Sequence, residues 1–259
     1  MKEAVFAVEG TTAHPTHRAA GPWNPSLMHG GAPSALVVRA AEQAPTAEPM
    51  QVARVTVELL RPVPIAPLAI ETEVVRQGRK IQLVQVRLLA DGVEVTRGLV
   101  LKVRQAPLGL PHDVGLPPLD VPPPEAVPPM EGHLRDDLSF ATAFEIRSVA
   151  GGIRLPGPGV CWFHRPSPIV AGEPTSPAML AAAVADFTNG VSSVLDFDRY
   201  TFVNADLTVS FARAPVGDWI LSHAESWIGP DGAGLAATRL ADRHGYFGRA
   251  VETLVVEPR

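Results

Sequence analysis

The same order of secondary-structure signals occurs twice along the chain, and this repeat constrains the fold more than any other feature. An apolar helical run over residues 33–43 precedes the segment 52–64, which predicts an alternating strand ending at Arg61-Pro62. A second apolar helix over residues 176–190 precedes another alternating strand, which ends at Arg213. Three more strands follow in each half. The pattern predicts an internal duplication in which each half contributes one helix and a run of antiparallel strands.

The predicted turns keep a similar spacing in the two halves. Arg61 and Arg213 end the first long strand of their halves and stand 152 positions apart. The Asp91-Gly92 pair is a strong signal for a hairpin turn. The turns between the remaining strands are predicted at Gly78, Asp91-Gly92, 230–232 and 244–245.

Both predicted helices are apolar on nearly every side, with "SALVV" in the first and "LAAAVA" in the second. Ser176 is placed to cap the second helix and Pro177 to occupy its first position. Helices of this composition must be buried on most faces, as they would be inside a curved sheet. We therefore expect an α+β fold in which each half wraps a sheet around its helix.

A proline-rich stretch separates the two halves. Residues 106–130 contain nine prolines, which remove backbone donors and prevent helix formation. This predicts a first domain over residues 1–105, an extended linker over 106–130 and a second domain over 131–259.

Composition excludes several classes of function. The net charge is −5, with 22 Lys and Arg against 27 Asp and Glu, and no basic cluster predicts nucleic-acid binding. Cys161 is the single cysteine, and the eight histidines show no metal-binding spacing, so we expect neither metal nor other cofactor. The amino-terminal residues lack a signal-peptide pattern, and no apolar run reaches the ~18 residues of a membrane span. The composition predicts a cytoplasmic protein.

The order of motifs resembles the double-hotdog acyl-CoA thioesterases, the TesB-like or thioesterase-like superfamily. The first half carries the resemblance through Trp23, "HGG" at 29–31, "RVTVELLRP" at 54–62 and the segment that follows. The second half carries it through "VADFTN" at 184–189, "DLTVSFAR" at 206–213 and "VETLVV" at 251–256. The resemblance implies a double hotdog fold, an acyl-CoA substrate and hydrolysis of its thioester without a metal.

The sequence His29-Gly30-Gly31 before the first helix allows two interpretations. In the first interpretation, the glycines serve close packing at a tight turn into a buried helix. Alternatively, backbone N–H groups at the helix start bind the thioester carbonyl, which makes all three residues candidates for substrate binding. A similar "HGG" occurs in α/β-hydrolase esterases, but the required G-x-S-x-G motif does not follow.

The resemblance also implies three catalytic positions. The family's helical Asp corresponds to Asp186, and its polar strand residue corresponds to Asn204, or to Asp206 if the register slips by two. The family's Gln corresponds to Glu252, or to Val251 after a slip of one. An ionised Glu cannot donate as Gln does, but a neighbouring Asp186 would raise the pKa of one carboxyl so that the pair shares a proton.

Glu252 leaves two functions open. The chain either hydrolyses acyl-CoA with water directed by Asp186, or is a non-catalytic protein that binds acyl or other hydrophobic ligands. Hotdog hydratases need a histidine shortly after the Asp, and residues 187–191 contain none.

The aromatic run at 161–166 predicts core packing or an acyl tunnel. Arg76, Arg79 and Lys80 predict surface charge or contacts with the CoA phosphates. A homo-oligomer is possible in this family.

Overall fold

The computed structural model describes residues 3–110, 118–130 and 139–259. Thirteen strands and three α-helices are present within these residues. The elements of the first half are β1 (Phe6–Glu9), β2 (Thr12–Pro15), α1 (Gly31–Gln43), β3 (Met50–Glu58), β4 (Leu68–Gln77), β5 (Ile81–Ala90) and β6 (Val93–Arg104). Those of the second half are β7 (Glu145–Ala150), β8 (Gly159–His164), α2 (Pro177–Ala185), α3 (Thr188–Val191), β9 (Tyr200–Asn204), β10 (Asp206–Phe211), β11 (Trp219–Ile228), β12 (Ala233–Asp242) and β13 (Gly245–Pro258).

All strands belong to one sheet whose two halves mirror each other. The order is β1-β2-β4-β5-β6-β3-β10-β13-β12-β11-β8-β7, and β9 pairs with β13. The halves meet where β3 pairs with β10 in antiparallel register, with buried Val55 opposite buried Val209. The sheet curves around α1 and α2, whose residues are almost all buried in one apolar core. The predicted α+β arrangement is confirmed, with antiparallel strands around one apolar helix in each half, and the strands of the two halves join in a single sheet.

Two predicted element boundaries in the first half are wrong. Helix α1 begins at Gly31 rather than at residue 33, because the Gly30 carbonyl already accepts the N–H of Ser34. Strand β3 ends at Glu58 rather than at Arg61-Pro62. Pro62 and Pro64 lack the N–H groups that a strand needs for pairing on both sides.

The second apolar helix begins as predicted and ends earlier than predicted. The Ser176 side chain accepts the N–H of Met179, and Pro177 is the first helical residue. The helix stops at Ala185 instead of continuing to residue 190, and α3 is a separate turn. Asp186 and Phe187 both have ψ of −3°, and the Phe187 N–H bonds the Val184 carbonyl, which tightens the backbone at this point. The break places Asp186 between two helices.

The described part of the proline-rich stretch packs against the second half of the sheet. The indole N–H of Trp162 donates to the Pro122 carbonyl at 2.9 Å, and Arg147 donates to the carbonyls of Pro124 and Val127. The division into 1–105, 106–130 and 131–259 stays a prediction. Residues 1–2, 111–117 and 131–138 of those ranges lie outside the described residues.

No helix in residues 3–110, 118–130 or 139–259 has the length and hydropathy that a membrane crossing requires.

A buried lysine side chain caps the carboxyl end of α1. Lys102 is 4 % exposed, and its Nζ donates to the carbonyls of Ala41 and Ala44 at 2.9 and 2.8 Å. We predict that Lys102→Met lowers the free energy of unfolding by about 1–3 kcal/mol, because these carbonyls lose their donor. Chemical denaturation beside exposed Lys80→Met measures this, and equal effects of the two substitutions would contradict it.

Candidate active site

Asp186 joins the two halves of the molecule through hydrogen bonds to its carboxylate. Its side chain is 2 % exposed, and its Oδ2 lies 2.7 Å from Nδ1 of His29 in the first half. Its Oδ1 accepts a hydrogen bond of 2.8 Å from Nδ2 of Asn204, at the end of β9. Donors to both oxygens compensate part of the cost of burying a carboxylate.

The position of Nδ1 of His29 fixes which tautomer is present. This nitrogen lies 2.7 Å from the Asp186 carboxylate and 3.2 Å from the Gly31 N–H. It cannot donate to the first and accept from the second at once. The shorter contact to a carboxylate is the stronger one, so Nδ1 carries the proton and donates to Asp186. In a neutral ring, Nε2 is then unprotonated.

Two aromatic rings hold the His29 imidazole. The ring centroids of Phe140 and Phe187 lie 4.9 and 4.5 Å from that of His29. Phe187 follows Asp186 directly, so the break between α2 and α3 supplies both the carboxylate and one of these rings. The side chain of His29 is 10 % exposed. Packing therefore leaves the ring little freedom to rotate away from Asp186.

Asn204 uses both of its amide hydrogens within the protein. Besides the bond to Asp186, Nδ2 donates to the carbonyl of Asp206 at 3.3 Å. Asn204 is thus built to orient the carboxylate. Asp206, the alternative position in the sequence, accepts the Thr253 N–H through Oδ1 at 2.8 Å instead.

Glu252 lies fully buried on β13 with one oxygen unpartnered. Its Oε2 accepts the N–H of Asn189 at 3.3 Å, while Oε1 has no hydrogen-bond partner among the described residues. Burial, and then the negative charge of Asp186, raise the pKa of Glu252 well above 4.5. The side chain is therefore favoured in its neutral form, in which it carries one O–H donor.

The two glycines before α1 have different neighbours. A Cβ on Gly30 would lie 2.6 Å from Oδ1 and 2.9 Å from Oδ2 of Asp186. A Cβ on Gly31 would lie 2.6 Å from the Ala183 carbonyl oxygen, on α2. Gly30 gives the carboxylate access to the helix start, and Gly31 lets the two buried helices approach. Each interpretation of this sequence thus fits one of the glycines.

The site opens into an apolar cavity of about 440 Å³ between the halves. The lining of the first half comes from residues 21–24, 27–30 and 59–63. That of the second half comes from Asp186, Phe187, Asn189, Gly190, Phe197, residues 203–205 and Val255. His29, Gly30, Asp186 and Asn204 all contribute to its wall, whereas Gly31 and Glu252 do not. A cavity of this size and polarity can enclose a small apolar group beside a few polar atoms.

The aromatic run at 161–166 serves packing rather than the cavity. Trp162 is buried on the outer face of the sheet, and Phe163 packs against Phe144 and Phe187. Neither lines the cavity. Burial raises the pKa of the Cys161 thiol to about 11, which disfavours the thiolate that a nucleophilic cysteine needs.

Four of the six site residues named from the sequence, His29, Gly30, Asp186 and Asn204, meet at the Asp186 carboxylate. Gly31 packs against α2 instead, and Glu252 hydrogen-bonds Asn189. The pairing of His29 with Asp186, the contacts of Phe140 and Phe187 with His29, and the bond from the Asn189 N–H to Glu252 were not predicted from the sequence. "HGG" and "VADFTN" were visible as motifs, but only the fold reveals contacts across such a separation. Groups of three or more side chains that could hold a metal are absent from the described parts of the chain.

Alanine substitutions at the two glycines separate the functional and the packing position. We predict that Gly30→Ala leaves the protein folded but displaces Asp186, lowering thioester hydrolysis about 10²-fold. Gly31→Ala instead strains the contact between helices and lowers the free energy of unfolding by about 1–3 kcal/mol. Thermal denaturation and a thiol-release assay on both variants measure this. If the two variants lost activity and stability to the same extent, the assignment of Gly30 to the site and of Gly31 to packing would be contradicted.

Comparisons with known proteins agree with this architecture. Residues 19–103 match the acyl-CoA thioesterase N-terminal domain and residues 123–256 the acyl-CoA thioesterase C-terminal domain. No curated protein matches the chain. A conserved protein of unknown function with a hot dog fold from Alicyclobacillus acidocaldarius is similar in structure, with 19% identity and a TM-score of 0.75 over 97% of this chain and 95% of that one.

Two further structures are similar over most of their length. The tesB protein of Mycobacterium avium subspecies paratuberculosis has 18% identity and a TM-score of 0.70 over 98% of this chain and 96% of that one. The acyl-CoA thioesterase II TesB2 of Mycobacterium marinum has 18% identity and a TM-score of 0.65, and 89% of each chain is covered. The predicted double hotdog fold and TesB-like resemblance are confirmed, and the chain belongs to the acyl-CoA thioesterase family.

Proposed function

We propose that the protein hydrolyses an acyl-CoA thioester to the free acid and CoA, using Asp186 to direct a water molecule. The observation that carries this proposal is the buried Asp186 carboxylate, held by His29 and Asn204 at the wall of an apolar cavity. Membership of the acyl-CoA thioesterase family supports the reaction class. The acyl group occupies the cavity, with its carbonyl carbon beside Asp186.

In the proposed reaction, Asp186 acts as the general base. A water bound to the carboxylate attacks the thioester carbonyl carbon, and Asp186 accepts one proton from that water as the new C–O bond forms. Collapse of the tetrahedral intermediate breaks the C–S bond, and the proton held by Asp186 passes to the departing thiolate. The products are the carboxylic acid and the free thiol, and no oxidant or metal takes part.

His29 and Asn204 keep the base in position. Nδ1–H of His29 and Nδ2–H of Asn204 hold one carboxylate oxygen each, which leaves the other lone pairs of Asp186 for the water. The Oδ1 atom of Asn204 is a further acceptor beside the same carboxylate. These contacts come from both halves of the chain, so the geometry of the base depends on the packing of the halves.

The Gly30 N–H is the proposed donor to the developing oxyanion. It has no backbone or side-chain acceptor among the described residues, and Gly30 lines the cavity beside Asp186. A backbone donor at the start of a helix also benefits from the partial positive charge of the helix end. A glycine here allows the thioester carbonyl to approach the backbone.

Glu252 takes the place of the family's Gln by staying protonated. The neutral carboxyl has one acceptor oxygen, which is occupied by the Asn189 N–H, and one hydroxyl to donate. A neutral Glu252 thus offers one donor and one acceptor, as the amide of a Gln side chain does. In the proposal, the hydroxyl on Oε1 donates toward the site of Asp186 and offsets the cost of two adjacent carboxyl groups.

Replacing the base tests the proposed activity. Asp186→Asn keeps the size of the side chain and one of its two acceptor oxygens but removes the proton acceptor, so kcat is expected to fall by about 10²–10⁴-fold. The measurement is thiol release from acyl-CoAs of graded chain length, with exposed Asp231→Asn as the control. An Asp186→Asn variant as active as the control would contradict the role of Asp186. Binding of acyl-CoA without turnover by the unmodified protein would favour the ligand-binding alternative.

The pKa of Glu252 predicts how stability depends on pH. Above pH 4.5, the Glu252 carboxyl loses its proton in the unfolded chain but keeps it in the folded protein. The free energy of unfolding therefore decreases as the pH rises from 4.5 toward the raised pKa of the folded state. Glu252→Gln removes this loss. We predict that its Tm exceeds that of the wild type by more at pH 8 than at pH 5, with activity within about threefold at pH 6.

The control for this comparison is Glu257→Gln, an exposed position on the same strand. Its Tm difference from the wild type is expected to vary little with pH. A Tm difference for Glu252→Gln that is constant between pH 5 and 8 would contradict the neutral state of Glu252.

A further inference from the structure

The mouth of the cavity carries two stacked aromatic rings. Trp23 and Phe197 both line the cavity and come from opposite halves of the chain. Their ring centroids lie 5.8 Å apart at an interplanar angle of 23°. Phe202 supports both rings from the side, at 5.0 Å from Trp23 and 4.7 Å from Phe197. Both rings are partly exposed, so they lie where the cavity opens to solvent between the halves.

An arginine guanidinium packs over each of these two rings. The guanidinium of Arg259 lies 5.2 Å from the ring centroid of Trp23, and that of Arg154 lies 5.9 Å from the ring centroid of Phe197. A third arginine, Arg61, contributes to the cavity lining itself. All three are exposed. Stacking on a ring restrains a guanidinium while its N–H groups remain available to a ligand.

These arginines form no ion pairs within the described residues. The structure holds eleven salt bridges there, from Glu3 with His17 to Glu125 with Arg243, and Arg61, Arg154 and Arg259 take part in none of them. Asp196 and Asp198 flank Phe197 in sequence and lie beyond ion-pair distance from the three arginines. Asp196 accepts the N–H of Asp198. The mouth thus presents unpaired positive charge on a protein whose net charge is −5.

We propose that Arg154 and Arg259, with Arg61, bind the phosphate groups of a phosphopantetheine thioester at the mouth of the cavity. This inference rests on the proposed function, which places the thioester carbon beside Asp186 at the inner end. The pantetheine arm then lies along the apolar wall and the phosphates emerge at the rim. Arginine side chains suit this task because their N–H groups bind phosphate oxygens in pairs.

The alternative basic residues lie elsewhere. Arg76, Arg79 and Lys80 belong to the β4–β5 turn region, and none of them lines the cavity. The prediction that they bind CoA phosphates therefore gains no support from the structure. Arg154 and Arg259 differ from them because each packs on a cavity-lining aromatic ring, and Arg61 lines the cavity itself.

Ligand binding tests the inference independently of hydrolysis. We would measure Kd by calorimetry for CoA, 4′-phosphopantetheine and pantetheine, in the wild type and in the double variant Arg154→Gln/Arg259→Gln. The control is Arg249→Gln, an exposed arginine on β13 that also forms no salt bridge among the described residues. We expect the double variant to bind CoA about tenfold more weakly, with pantetheine binding unchanged.

Comparing CoA with 4′-phosphopantetheine shows which phosphate groups the arginines bind. A larger loss for CoA than for 4′-phosphopantetheine assigns the arginines to the nucleotide phosphates, and equal losses assign them to the single phosphate shared with carrier-linked pantetheine. Unchanged CoA binding in the double variant, or an equal loss for pantetheine, would overturn the inference. Arginine-dependent CoA binding without any hydrolysis would support it while contradicting the proposed function.

Discussion

The buried carboxylate of Asp186 is the interaction on which the rest of the site depends. It lies between two helices of the second half and accepts hydrogen bonds from His29 of the first half and Asn204 of the second. A carboxylate that is 2 % exposed without such donors would be strongly unfavourable. The same two bonds that make its burial tolerable also fix its direction at the cavity wall. Stability and proposed chemistry therefore share one set of contacts.

The fold brings these contacts together through a continuous sheet and a close helix pair. Strands β3 and β10 join the halves, so α1 and α2 lie side by side in a common core. Gly31 allows the backbones of these helices to approach, and Gly30 leaves space for the Asp186 oxygens. The break after Ala185 then turns Asp186 and Phe187 toward His29. The packing of the two helices thus positions His29, Gly30 and Asp186, and strand β9 adds Asn204.

Much of this architecture could be predicted from the sequence because it depends on local patterns. Alternating strands, hairpin turns and the Ser176 cap are determined by neighbouring residues, and the structure confirms them. The early end of α2 could not be predicted, because an apolar helix pattern continues through Phe187 and the break depends on partners elsewhere in the chain. The pairing of His29 with Asp186 was missed for the same reason: no periodicity relates residues of different halves.

The most direct test of the account is a single-turnover reaction in ¹⁸O-labelled water with acyl-CoA and excess protein. Direct attack of water oriented by Asp186 predicts thiol release, one labelled oxygen in the acid and no label in the protein. Label in the Asp186 carboxylate would show that this side chain attacks the thioester itself. That result, or the absence of thiol release, would contradict the central claim.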